Sequence, residues 1–218
     1  MLTLFSSLAA CPACNRRRTG PAGLCPDCLA QLFDAVHEPG LLALGRYDGR
    51  LAAAVRALKF AGVTRLAEPL AAELAVQVRR RGWRPSAVTS VPLHPRRLRE
   101  RGYNQAELIA RACALRLQVP YLRLLSRARP TGQQARLTTH DRHGNVASAF
   151  TLAAAAPRVL PQRILLVDDV LTTGATLEAC RHVLRAAGSA VVWSATVAVA
   201  RPRNAPGPDR SWGDDQDS

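Results

Sequence analysis

The sequence predicts an α/β fold, a mostly parallel sheet with helices on both faces, behind a small cysteine-rich module. Three observations carry this expectation. Strand-like runs AVTSV (87–91), RILLV (163–167) and AVVWSATVAVA (190–200) alternate with segments of helical period, the order that builds a parallel sheet from strand–helix units. The run at 163–167 is apolar after Arg163, as a buried strand requires. Ahead of them stand two Cys-x2-Cys pairs, Cys11/Cys14 and Cys25/Cys28, ten residues apart.

Taken in order, residues 45–60 read as a short strand running into an amphipathic helix. A second helix carries Pro69 in its first turn and Leu70, Leu74 and Val78 at four-residue spacing. AVTSV stops at Pro92 and gives way to a basic loop over 92–103. Asn104 and Glu107 have capping-box spacing and open a helix to about Gln118. YLRLL (121–125) is strand-like, and the polar stretch 126–147 is too long for a passive connection. A helix from about Ala175 to Ala187 should stop at Gly188. The tail after Arg203 lacks a core-forming pattern and is expected to be disordered.

The 218 residues are 48% hydrophobic, enough for one good core and a small appended module. No apolar run approaches the ~20 residues that span a bilayer, so a soluble protein is expected. The opening MLTLFSSLAAC ends like a lipoprotein processing site, yet it lacks a basic start and is broken by Ser6 and Ser7. A cytoplasmic location with reduced thiols is the expectation. The net charge of +14 invites phosphate-rich partners. Lys59 is the single lysine among 30 basic residues, so where the arginines lie matters more than their number. Aromatic residues make up 5%, which argues against a stacking platform; any single-stranded DNA binding would be electrostatic and sequence-tolerant.

The chemistry concentrates in ILLVDDVLTTGAT, residues 164–176. In a parallel sheet, ligands bind beyond the C-terminal strand ends. Small residues, hydroxyls and Gly174 at a helix start make an anion nest suited to a phosphate monoester. The carboxylates Asp168 and Asp169 make sense beside such an anion only if hydroxyl donors or a metal face them. A ribose 5-phosphate offers the hydroxyls, and a diphosphate with Mg²⁺ close by offers the metal.

Asp-Asp, two apolar residues and Thr172-Thr173-Gly174-Ala175-Thr176 resemble the phosphoribosyl-pyrophosphate (PRPP) motif of type I phosphoribosyltransferases. The resemblance implies that Asp168 and Asp169 contact ribose hydroxyls and that residues 172–176 bind the 5′-phosphate. Purine-type members often have an acidic residue where Thr172 stands, so hypoxanthine and guanine are not expected substrates. VPLHPRRLRERGYNQAELIA (91–110) and RARPTGQQARLTTHDRHGNVASAF (127–150) resemble diagnostic blocks of the ComF family, competence-associated phosphoribosyltransferase-like proteins. The first block then corresponds to the pyrophosphate loop, with Arg97 and Arg101 as candidates and His94 as a further functional position. The second corresponds to the flexible loop that closes over the site, with Arg127, Arg129 and Arg142. Two ligands suit these arginines, a diphosphate and a nucleic-acid backbone. The family implies handling of internalised single-stranded DNA in natural transformation, alongside other DNA-uptake or recombination proteins. The alternatives are a metabolic transferase moving ribose 5-phosphate from PRPP to a nitrogen acceptor, and a non-catalytic PRPP sensor. No residue stands out as a general base.

The two cysteine knuckles can place four thiolates around one Zn²⁺ in a closed, structural site at Cys11, Cys14, Cys25 and Cys28. A module this small needs the metal to fold. Cys113 and Cys180 sit among apolar neighbours and read as core residues. The expected organisation is a zinc-ribbon module over 1–38, a phosphoribosyltransferase-like domain over 39–203 and a disordered tail over 204–218.

Overall fold

The computed structural model describes residues 10–16, 24–31, 33, 35–127 and 149–200. The expected tail lies outside these residues, as does most of the stretch 126–147.

Cys-rich residues lead into a short helix, α1 (Pro26–Gln31), and then a hairpin of β1 (Val36–Glu38) and β2 (Leu41–Arg46). The next segments are α2 (Gly49–Phe60), a 3-10 turn at Thr64–Leu66, α3 (Ala67–Arg80) and β3 (Ala87–Ser90). After them come α4 (Pro95–Arg101), α5 (Gln105–Leu117), β4 (Leu125–Arg127) and β5 (Phe150–Leu152). The last three are β6 (Arg163–Leu171), α6 (Ala175–Ala186) and β7 (Val191–Val199). The main sheet has the order β1-β2-β7-β6-β3 and is parallel except for edge strand β1. β4 and β5 form a separate antiparallel pair in which Arg127 faces Phe150.

Strand alternation divides the core into two layers. Leu165 and Val167 of β6 pack with Leu58 of α2, with Leu70, Leu74 and Val78 of α3, and with Ile109 and Cys113 of α5. The same cluster takes in Cys11, Leu24 and Cys28. Ile164 and Leu166 face the other way, onto Leu177, Cys180 and Leu184 of α6 and onto Leu125 and Phe150. Leu70, Leu74 and Val78 are fully buried, each stabilising the fold by roughly 1.5–3 kcal/mol. Trp83 and Trp193 stack at 5.5 Å where α3 leads into β3.

Three local expectations need correction. Residues 92–103 are not a loop throughout, because 95–101 form α4. Pro95 opens this helix, the His94 side chain accepts from the Arg96 amide at 3.2 Å, and Gly102 closes it at φ 80°. None of its residues is buried, so there was no apolar stripe to reveal it. Asn104 does cap α5, but its Oδ1 accepts from the Ala106 amide, not from that of Glu107. Glu107 turns to Arg111 and Arg123 instead of reaching back, so no capping box forms. Of YLRLL only Leu125 lies in a strand; Tyr121 makes an isolated bridge to Val88.

Candidate functional site

β6 lies between β3 and β7, and its C-terminal end carries the twin acids. The strand continues through Leu171, so Asp168 and Asp169 are strand residues rather than loop residues. Alternation therefore separates neighbours in sequence. Asp168 follows Ile164 and Leu166 toward α6, and Asp169 follows Leu165 and Val167 toward α2. The two carboxylates therefore leave the strand on opposite faces. Asp168 Oδ1 also accepts the Asp169 amide at 2.8 Å, and Lys59 Nζ lies 2.9 Å from Asp169 Oδ1.

Burial, and after it the Asp169 charge, push the Asp168 carboxyl up to about 8; the Asp169 amide, Lys59 and Arg127 pull the other way. Asp168 lines a hollow of about 30 Å³ with Thr172, Gly174 and Thr176. Gly174 sits at the N-cap of α6 with φ 85°, a conformation that glycine adopts without strain. Its side-chain-free cap leaves the first amides of a 12-residue helix directed at the hollow. Thr173 Oγ1 accepts from the Ala175 amide at 3.4 Å, and Thr172 and Thr173 are exposed. Asp168, Thr172, Gly174 and Thr176 thus meet at one hollow; Ala175 supplies backbone.

Lys59, the partner of Asp169, also lines a cleft of about 610 Å³ with Arg96, Arg97, Glu100 and Arg101 and with Phe60 and Tyr103. The Tyr103 hydroxyl donates to the Leu58 carbonyl, which ties α2 to the start of α5. Asn104 Nδ2 donates to the Val91 carbonyl at 2.9 Å and holds the same junction to β3. Arg101 stacks on Phe60 at 5.1 Å and donates to Gln105. Arg96 pairs with Glu100 at 3.0 Å, whereas among the described residues Arg97 and Arg101 pair with no carboxylate. Four cations against the single carboxylate of Glu100 make the cleft electropositive. Arg127 stacks on Phe150 at 5.2 Å. Burial lowers its pKa, as does the like charge of Arg97, while Cys180 and Asp168 act in the opposite sense. Arg129 and Arg142 lie outside the described residues.

Lys59 is the functional candidate that sequence reasoning missed. A signal was present: it lies four residues after buried Val55, on the apolar stripe of α2. His94, singled out as functional, serves as the cap of α4.

The sulfurs of Cys11, Cys14, Cys25 and Cys28 all lie within 4.8 Å of one another. Tetrahedral zinc–thiolate bonds of ~2.3 Å require sulfurs about 3.8 Å apart, which this spacing accommodates. Cys14 and Cys25 sulfurs are 3.6 Å apart, far beyond a disulfide bond. Burial raises the Cys11 pKa, but the amides of Cys25, Ala13 and Cys14 outweigh it and bring the thiol to about 7. The four cysteines are thus a donor set for one metal ion. Cys113 and Cys180 are fully buried core residues.

Among the described residues no helix is long and apolar enough to cross a membrane. The phosphoribosyl transferase domain family matches residues 55–213, so this part of the chain is a phosphoribosyltransferase-type domain. Competence protein F of Haemophilus influenzae is 32% identical over 193 residues, covering 84% of this chain and 82% of the relative. DNA utilization protein YhgH of Escherichia coli K12 is 28% identical, covering 84% and 86%. The chain belongs to the ComF family of phosphoribosyltransferase-like proteins. Among solved structures, adenine phosphoribosyltransferase from Leishmania tarentolae is similar at TM-score 0.46 and 12% identity, over 76% of this chain and 94% of that one.

Proposed function

We propose that this chain binds PRPP and acts in DNA uptake, handling internalised single-stranded DNA in the cytoplasm. The carrying observation is a hollow at the end of β6 beside Asp168, linked through the Asp169–Lys59 pair to a basic cleft. In this reading residues 172–176 hold the sugar phosphate, and Asp168 and Asp169 accept from the ribose hydroxyls. Arg97 and Arg101 neutralise the diphosphate, while Arg127, Arg129 and Arg142 serve the diphosphate or a DNA backbone. PRPP arrives as its magnesium complex, so that metal enters as part of the ligand. The process is supported by relatives named for competence and DNA utilization. Zinc at Cys11, Cys14, Cys25 and Cys28 is structural, because four thiolates leave no open coordination position. The surface beside it, with Arg16, suits nucleic acid or another DNA-uptake or recombination protein.

A second reading is favoured by the four cations of the cleft: transfer of ribose 5-phosphate to a nitrogen nucleophile. The C1–oxygen bond to diphosphate would break as an oxocarbenium-like centre develops, and the cleft would stabilise the departing anion. Release of pyrophosphate with a nitrogen acceptor tests this reading. The principal reading is tested by titrating a labelled single-stranded oligonucleotide with and without PRPP and magnesium. A severalfold change in DNA affinity is expected, because the two ligands share arginines. Identical affinities would contradict the coupling of PRPP to DNA handling.

A further inference from the structure

We propose that Lys59 is an exchangeable cation: it neutralises Asp169 in the empty site and passes to the diphosphate when ligand arrives. The transfer would free Asp169 to accept from a sugar hydroxyl. The proposal rests on the sugar-phosphate reading of the site and adds a residue and an order of events.

The only lysine of the chain sits in the last turn of α2, on the stripe that buries Leu51, Val55 and Leu58. Its side chain is 20% exposed and that of Asp169 is 13% exposed, with 2.9 Å between Nζ and Oδ1. Among the described residues Lys59 is the cation paired with Asp169. A carboxylate oxygen engaged by an ammonium is a poorer acceptor for a hydroxyl. The pair therefore holds Asp169 in reserve.

Lys59 also lines the cleft with Arg96, Arg97 and Arg101, so its ammonium stands between the Asp169 carboxylate and the basic cleft. A lysine suits exchange because its charge is compact, its stem flexible and its three donors freely rotating. An arginine fork would be fixed by its own geometry. A diphosphate carries several negative charges against one on Asp169, and the neighbouring arginines hold it nearby. Binding of the diphosphate thus prepares recognition of the sugar, a positive coupling between two halves of one ligand.

A single lysine makes the test direct. Protein labelled with carbon-13 at lysine Cε gives one side-chain resonance, followed while inorganic pyrophosphate is added in magnesium-free buffer. Pyrophosphate has no sugar, so Asp169 has nothing to accept from it. The Lys59 resonance is expected to move at saturation. Asp169→Asn should shift the resonance before any ligand is added, and should tighten pyrophosphate binding roughly threefold to tenfold, because the competing carboxylate charge is gone. Lys59→Met should weaken binding by about tenfold. Asp48→Asn, at the opposite end of α2, removes the same charge away from Lys59 and should leave affinity near wild type. An unmoved resonance at saturating pyrophosphate, or an Asp169→Asn protein that binds no more tightly than wild type, overturns the exchange. Should Lys59→Met fail to fold, the wild-type and Asp169→Asn arms decide alone. If pyrophosphate moves the resonance and PRPP does not bind, the sugar-phosphate reading fails while Lys59 remains a diphosphate ligand. If PRPP binds and the resonance stays fixed, the exchange alone fails.

Discussion

Asp168 keeps a carboxyl in a half-buried hollow where its charged form is disfavoured. Its pKa rises from an ordinary 3.8 to about 8, with burial the leading cause and the Asp169 charge second. The folded state then binds more protons than the unfolded chain across that interval, so this residue lowers stability as pH rises from about 4 to 8. Asp168→Asn should remove the slope and stabilise the ligand-free protein near pH 8. A gain on the order of 1 kcal/mol, after discounting for partial exposure, corresponds to roughly 2–4 °C in melting temperature. Thermal melts of both proteins at pH 5 and pH 8 check this: the difference should be small at pH 5 and widen by pH 8. The same substitution should weaken PRPP binding, so stability and ligand affinity move in opposite directions. Such opposition is expected where a fold carries strain for function.

At the scale of elements, the junction of β3, α4 and α5 shapes the basic cleft. Asn104 serves it twice, capping α5 and donating to the Val91 carbonyl. Asn104→Ala should cost about 2 kcal/mol, the sum of a lost cap and an unsatisfied buried carbonyl. Asn104→Asp, which keeps the cap acceptor but loses the donor, should cost less; denaturant unfolding ranks the two. An equal cost would mean that the cap contributes nothing beyond the tie to Val91. Elements with apolar stripes were legible in the sequence: α3 from Leu70, Leu74 and Val78, and β6 from its unbroken ILLV. The helix α4 was not, because it buries no side chain and owes its existence to a histidine cap and a left-handed glycine. The hairpin that β1 makes with β2 was missed, since β1 has only three residues, too few to show an alternating pattern. The twin acids and their turn were readable as a motif. Their separation onto two faces followed only from the strand running on to Leu171, and the Lys59 contact only from three-dimensional packing.

For the molecule as a whole, a cysteine module and an α/β body with helices on both faces of its sheet share one apolar cluster through Cys11, Leu24 and Cys28. Removal of one thiolate, as in Cys25→Ser, should abolish stoichiometric zinc by elemental analysis and unfold the module, since so small a core depends on its metal. One zinc per chain retained in that variant would exclude the four-thiolate site. The +14 charge makes contact with single-stranded DNA chiefly a counterion-release effect. Affinity for an oligonucleotide should fall at least about tenfold between 50 and 200 mM salt, with little dependence on base sequence. Salt-independent binding would point instead to base stacking, for which the chain has few aromatic groups.

Calorimetric titration of the wild-type chain and its Asp168→Asn variant with PRPP and magnesium bears most directly on the pocket at the end of β6. Saturable binding of one PRPP per chain to the wild type, weakened at least about tenfold in the variant, is the expected result. Equal affinity in the two proteins, or no heat of binding to either, would contradict the assignment of that hollow and its acids to a ribose phosphate.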